Sequence, residues 1–151
     1  DVTISGNVFA DLFVSTTGTD ADFIVKLIDV YPGDAPNDSP ENPRKAMGGF
    51  QLLVRGEVMR AKFRKSFSTP EAMVPNKMEN VRFDMQDAAH RFKKGHKIMI
   101  QIQSSWFPLV DRNPQKFVNI YKAEAADFQK AYHRVYCSGA GSSYVSVRVI
   151  E

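Results

Sequence analysis

KIMIQIQS, Lys97 to Ser104, alternates without a break. Ile98, Ile100 and Ile102 fall on one side of an extended chain, and Lys97, Met99, Gln101 and Gln103 on the other. The same period of two runs through most of the chain. VFADLFVS places Val8, Ala10, Leu12 and Val14 on one face. FIVKLIDV, Phe23 to Val30, is apolar on nearly both faces, as a central strand of a sandwich would be. GFQLLVRGEV (Gly49 to Val58) and NVRFDMQD (Asn80 to Asp87) continue the pattern. KAYHRVYC and SYVSVRVI read as two further strands joined across SGAGS, a Gly-rich hairpin turn. Only EAADFQKA, Glu124 to Ala131, has the makings of a helix, and a short one. Many short strands and at most one short helix predict an all-β fold, a jelly-roll β-sandwich.

The connections agree with this. TTGTDAD, Thr16 to Asp22, is a short turn, and RFKKGHK, Arg91 to Lys97, reads as a solvated hairpin turn centred on Gly95. Asp29 to Gly49 holds four of the eight prolines and several acids, the composition of a long exposed loop. A chain of 151 residues suits one domain with a real core. With 43% hydrophobic and 25% charged residues it has a globular composition. A net charge of +3 is too small to drive binding to nucleic acid by counterion release, so no nucleic-acid partner is expected. No apolar run approaches the roughly 20 residues of a membrane helix, so no membrane partner is expected either. The single cysteine, Cys137, excludes an internal disulfide and leaves the compartment open. The chain has no initiator Met and opens almost inside a strand pattern, so it reads as a piece of a longer polypeptide.

Catalytic patterns are sparse. GAGSS, Gly139 to Ser143, lacks the last glycine of a nucleophile elbow and lies between two strands, so it reads as a turn. His133 and Cys137 share a strand face, but four residues of strand span about 13 Å, too far for a thiol–imidazole dyad. His90, His96 and His133 lack metal-ligand spacing, and His90 and His96 read as turn residues whose imidazoles bond locally. Asp29, Asp34, Asp38 and Glu41 lack the regular spacing of a calcium loop and read as solvated. Arg55 and Glu57 share a strand face and suggest an ion-pair network. Arg60, Lys62, Arg64 and Lys65 suggest a basic edge that discourages strand aggregation. No metal, no cofactor and no catalytic residue is expected within this chain.

Five landmarks in order carry a resemblance. They are ISG at Ile4 to Gly6, TDADFIVKLIDVYP at Thr19 to Pro32, RGEVMRAKFRKS at Arg55 to Ser66, FKKGHKIMIQIQSS at Phe92 to Ser105 and WFPLVDRNPQ at Trp106 to Gln115, with SYVSVRVI closing the chain. The sequence resembles the C-terminal, non-catalytic domain of the X-Pro dipeptidyl-peptidase, cocaine-esterase and α-amino acid ester hydrolase group of serine hydrolases. That group includes enzymes described as glutaryl-7-aminocephalosporanic acid acylases. The resemblance implies a galactose-binding-domain-like jelly roll over residues 1–151, separated here from an α/β-hydrolase domain and a helical cap that hold the catalytic residues. It implies an accessory role: packing on the α/β-hydrolase domain of the same chain, shaping the active-site cleft and joining homo-oligomer contacts. The parent would be a dipeptidyl-peptidase, esterase or acylase. The family domain also carries residues ahead of Ile4 to Gly6, which implies a further edge strand outside this sequence.

One stretch stands out on physical grounds. SSWFPLVDRNPQ contains the chain's only tryptophan, followed by Phe107 and, between two prolines, Leu109 and Val110. Rigid aromatics beside an arginine resemble interface anchors. Trp106, Phe107, Asp111, Arg112 and Asn113 are therefore the domain-interface candidates. A loop folded over the end of the sandwich, with Trp106 plugging the core, is the structural counterpart. The other functional reading of the fold is a carbohydrate-binding module, with Tyr31, Tyr121, Trp106 and Tyr144 as candidate platform residues.

Overall fold

Seven antiparallel strands form two sheets in a computed structural model that describes residues 1–37 and 46–150. They are β1 (Val2–Thr16), β2 (Asp22–Val30), β3 (Gln51–Arg60), β4 (Glu79–Phe92), β5 (Lys97–Gln103), β6 (His133–Val135) and β7 (Tyr144–Ile150). One sheet has β1 at its centre, with β4 on one side and β6 and β7 on the other; the second runs β3-β2-β5. The β-sandwich expected from the alternation is the fold, and no helix among the described residues is long and apolar enough to cross a membrane.

The alternation decides which faces meet. Val8, Ala10, Leu12 and Val14 of β1 are fully buried, together with Val81, Phe83 and Met85 of β4. They pack against Phe23, Val25 and Leu27 of β2 in one core cluster. Deletion of a side chain as large as Leu12 or Phe23 from such a core costs about 2–5 kcal/mol. Strand irregularities occur where residue type permits. β4 carries one extra residue opposite the Asn7–Phe9 step of β1, with Gln86 at φ 66° and its N–H held by the Asp84 carboxylate at 2.6 Å.

Four local readings change. Turn Lys93–His96 closes with a 3.0 Å backbone bond, but it carries the chain from β4 in one sheet to β5 in the other, so it is a crossing turn and not a hairpin. Residues 136–143 do not reverse the chain either. β6 and β7 both run antiparallel to the same edge of β1, β6 beside Val14–Thr16 and β7 beside Thr3–Asp11. They are two parts of one strand line interrupted by an excursion, which closes where Ser143 N–H donates to the Tyr136 carbonyl at 2.8 Å. The KAYHRVYC strand shrinks to three residues, and the EAADFQKA segment forms a single 3₁₀ turn, Ala125–Asp127. There the Asp127 carboxylate accepts the Glu124 N–H at 3.1 Å, favouring a cap over further helix.

The sandwich is closed along one side and open along the other. Arg55 of β3 donates to the Met85 carbonyl of β4 at 2.5 Å, and Gln86 of β4 donates to Glu57 of β3 at 3.1 Å. Arg55 and Glu57 thus reach across to the opposite sheet, where they bond a backbone carbonyl and an amide instead of the cross-strand ion-pair network expected. Between β5 and β7, at the other side, no side-chain hydrogen bond crosses among the described residues.

Candidate docking surface

The loop after β5 is built on the outer face of the β3-β2-β5 sheet. Lys26 of β2 and Gly56 of β3 are cross-strand partners on that face. The Trp106 indole lies over both, with the Lys26 ammonium 4.4 Å from the ring centroid. Trp106 is half-buried against a strand surface, outside the core between the sheets. Ile24 and Ile28 of β2, on the face away from the core cluster, are also buried.

Beyond Trp106 the chain is held by a buried polar cluster. The Asp22 side chain, 2% exposed, accepts from Arg60 Nε at 2.8 Å and Nη2 at 2.9 Å, and from Asn113 Nδ2 at 2.8 Å. Arg60 also donates to the Asp111 carbonyl at 2.9 Å. The hydrogen bonds it donates to Asp22 hold the pKa of the Arg60 guanidinium above its ordinary range. Next to it, the Asp20 carboxylate accepts the Ala21 and Lys62 N–H groups, each at 2.9 Å, while burial pushes its pKa up. Lys62 is itself buried and donates to the Val118 carbonyl at 2.8 Å. Arg64 bonds Glu79 at 2.8 Å and the carbonyls of Ala61, Glu71 and Ala72. The expected basic edge is therefore mostly internal, and only Lys65, paired with Glu71 at 2.6 Å, is exposed.

The far end of the loop is fixed by backbone contacts. Thr19 N–H donates to the Gln115 carbonyl at 3.1 Å, and Phe117 N–H donates to Thr19 Oγ1 at 2.8 Å. Gly18 makes room, since a Cβ there would collide with the Gln115 carbonyl oxygen. With both ends held, Phe107 (63% exposed) and Leu109 (70%) project into solvent. The Arg112 guanidinium lies 5.6 Å from the ring centroids of both Phe107 and Phe128. Phe107, Asp111, Arg112, Ile120, Tyr121 and Phe128 line a cleft of about 330 Å³. A neighbouring cleft shares Asp111, Ile120 and Tyr121 and extends the surface to Phe63 and Phe67.

The five candidates thus divide. Phe107 and Arg112 shape the exposed surface, Trp106 and Asn113 hold the loop to the sheet, and Asp111 does so through its carbonyl. Tyr121 and Tyr144 are exposed, whereas Tyr31 packs against Phe50 and His96.

The remaining polar groups serve the fold. Asp29 lies in β2, 2% exposed, and its two oxygens bond His90 Nε2 at 2.9 Å and His96 Nδ1 at 2.8 Å. The histidines thus make long-range bonds where local ones were expected, and Asp29 belongs to a strand. Asp34 is exposed. Asp38 and Glu41 lie outside the described residues. Cys137 is exposed and lies beyond β6. Among the described residues no group of three His, Cys, Asp or Glu side chains could hold a metal, and no Ser, Thr or Cys side chain bonds a histidine.

These features define a β-sandwich domain that displays a rigidly held apolar loop. The chain belongs to the family described as the X-Pro dipeptidyl-peptidase C-terminal non-catalytic domain, which matches residues 1–146. It is similar to the cocaine esterase of Rhodococcus sp. (strain MB1 Bresler), with 27% identity over 150 residues, 99% of this chain and 24% of that protein. Among solved structures it resembles a selenomethionine-labelled α-amino acid ester hydrolase (44% identity, TM-score 0.89) and an aminopeptidase from a marine sediment archaeon, Thaumarchaeota archaeon (39%, 0.90). Each structural match covers 99% of this chain and 24% of the other. The chain spans about a quarter of the length of these relatives.

Proposed function

We propose that this chain is the accessory C-terminal sandwich of a larger serine hydrolase, packing on an α/β-hydrolase domain through the Phe107–Leu109 surface and bordering its substrate cleft. The carrying observation is the contrast within one loop. Its polar and backbone groups are bonded to the sandwich, while Phe107 and Leu109 are left outside. A loop evolved only to cap a sheet gains nothing by exposing both, whereas burial of each against a partner is worth about 1.5–3 kcal/mol. The parent activity in this reading is hydrolysis of an ester or amide bond, with every reacting group on the partner domain and this domain forming part of the wall. The names of the relatives, an esterase, an ester hydrolase and an aminopeptidase, support that class.

The test compares Phe107→Ser/Leu109→Ser in the 151-residue chain and in the longer hydrolase. The short chain is expected to keep its melting temperature, while the long chain melts earlier and loses turnover of an aminoacyl arylamide. Equal behaviour of variant and wild type in the long chain would sink the proposal. Binding of the short chain to a glycan array through Tyr121 would favour the carbohydrate-binding reading.

A further inference from the structure

Arg112 differs from Arg60 and Arg64. Arg60 bonds the Asp22 carboxylate and the Asp111 carbonyl, and Arg64 bonds Glu79 and the carbonyls of Ala61, Glu71 and Ala72. None of the ion pairs among the described residues includes Arg112, not even one with the adjacent Asp111. What Arg112 meets are rings, with the centroids of Phe107 and Phe128 each 5.6 Å from its guanidinium. A ring engages the flat face of a guanidinium and leaves the N–H donors in its plane to find acceptors elsewhere. Arg112 is exposed, so water can supply them while this face is open. Burial changes that. Phe107 and Arg112 wall the same cleft, so a partner that covers Phe107 also strips water from the guanidinium. A desolvated guanidinium without an anion is strongly unfavourable.

We infer that the hydrolase domain presents an aspartate or glutamate carboxylate to Arg112, as the polar centre of an otherwise apolar contact. The fork of the guanidinium matches both oxygens of a carboxylate, and the Phe107 and Phe128 rings hold it in advance, so less side-chain freedom is lost on docking. A backbone carbonyl accepts an N–H but leaves the charge uncompensated. The charges of this surface agree. Lys116 is already paired with Asp127 at 2.8 Å, whereas Arg112 brings a positive charge that nothing among the described residues neutralises. Phe107, Leu109 and Tyr121, all exposed around it, become the apolar ring that keeps water from the pair once the partner is seated. The inference rests on the proposed accessory role and adds to it the chemistry of the facing surface.

Arg112→Met and Arg112→Glu, made in the 151-residue chain and in the long hydrolase, test this. The short chain is expected to keep its melting temperature in both variants, as exposed substitutions do. The long hydrolase with Arg112→Met should lose arylamide turnover in urea about tenfold faster or more, and with Arg112→Glu faster still. A single Asp→Arg or Glu→Arg replacement in the hydrolase domain should restore the Arg112→Glu enzyme, because it re-forms the pair with its charges exchanged. If Arg112→Met is silent in the long hydrolase while Phe107→Ser/Leu109→Ser destabilises it, the carboxylate is refuted and the accessory role stands. If both are silent, both fail. Destabilisation that no replacement in a complete scan of the acids relieves would assign the guanidinium to backbone carbonyls and overturn the inference. So would unchanged resistance to urea with a raised KM for acidic substrates alone, the mark of a carboxylate carried by the substrate.

Discussion

Gly56 lies directly beneath the indole of Trp106: a Cβ on that glycine would stand 2.9 Å from Cη2 and 3.3 Å from Cζ3 of the ring. The glycine sits in the middle of β3, where a side chain would normally strengthen the strand. Its absence is what lets a tryptophan lie flat on a sheet. Gly56→Ala should therefore lift the indole and cost about 1–3 kcal/mol in urea unfolding. Because Trp106 is the only tryptophan, its emission should shift to longer wavelength in the variant. An unshifted spectrum would show that the ring does not depend on this seat.

Asp22 and Arg60 should behave as a buried pair. The carboxylate is almost inaccessible, and the arginine is mostly covered. Arg60→Met leaves the charge of Asp22 without its main partner and should cost about 3–5 kcal/mol. Asn113→Ala removes one neutral donor from the same carboxylate and should cost about 1–2 kcal/mol. It should also release the loop locally, so that limited proteolysis cuts between 106 and 117 before the sandwich unfolds. A uniform loss of resistance along the chain would mean that Asn113 supports the whole fold.

His133 gives the protein an acid-sensitive element. Burial pushes its imidazole below the usual histidine range, against a weaker opposing pull from Asp22. Nδ1 is buried without a hydrogen-bond partner, and the ring meets Phe23 edge-on at 5.9 Å. Between that lowered value and the ordinary one of about 6.5, the unfolded chain binds a proton that the folded chain refuses. Stability should therefore fall as the pH drops below about 6.5. His133→Phe should flatten this part of the profile in thermal melts from neutral to mildly acidic pH. An unchanged slope would place the acid sensitivity elsewhere.

Asp29 serves two histidines with two oxygens, and an amide has only one oxygen to offer. Asp29→Asn should cost about 2 kcal/mol or more, since one imidazole loses a charge-assisted bond inside the fold. His90 offers Nε2 and His96 Nδ1 to the carboxylate, so in nitrogen-15 spectra one of the two rings should switch tautomer or lose its bond in the variant. Retention of both ring signals and of the melting temperature would reduce Asp29 to a bystander.

The strands were legible because burial imposes a period of two that survives without any partner in view. Val8–Val14 and Ile98–Ile102 show it plainly. What was hidden depended on contacts outside the local stretch, many of them more than fifty residues away. The histidines of RFKKGHK and the preceding strand read as local because nothing in their neighbourhood announces Asp29, 61 and 67 residues distant. The run Arg60–Lys65 has the composition of a solvated edge, yet its acceptors include carbonyls contributed by later loops. SGAGS has hairpin composition, but both flanking strands pair with β1 and not with each other. The seat of Trp106 had one readable signal: an isolated glycine inside the strong strand QLLVRGEVMR, a mark of close approach by another group.

β1 has a consequence for how the molecule is made. It is the first strand of these 151 residues, yet one of its edges is completed only by Tyr144–Ile150. A ribosome emits about 5–20 residues per second, so that edge waits many seconds for its mate. In that interval Val8, Ala10, Leu12 and Val14 have β4 and β2 to shelter them but an open flank beside them. Nascent chains stalled before residue 144 should be the species that chaperones hold and neighbouring copies invade. Release of Tyr144–Ile150, more than growth of the core, then marks the point at which this edge of β1 is covered.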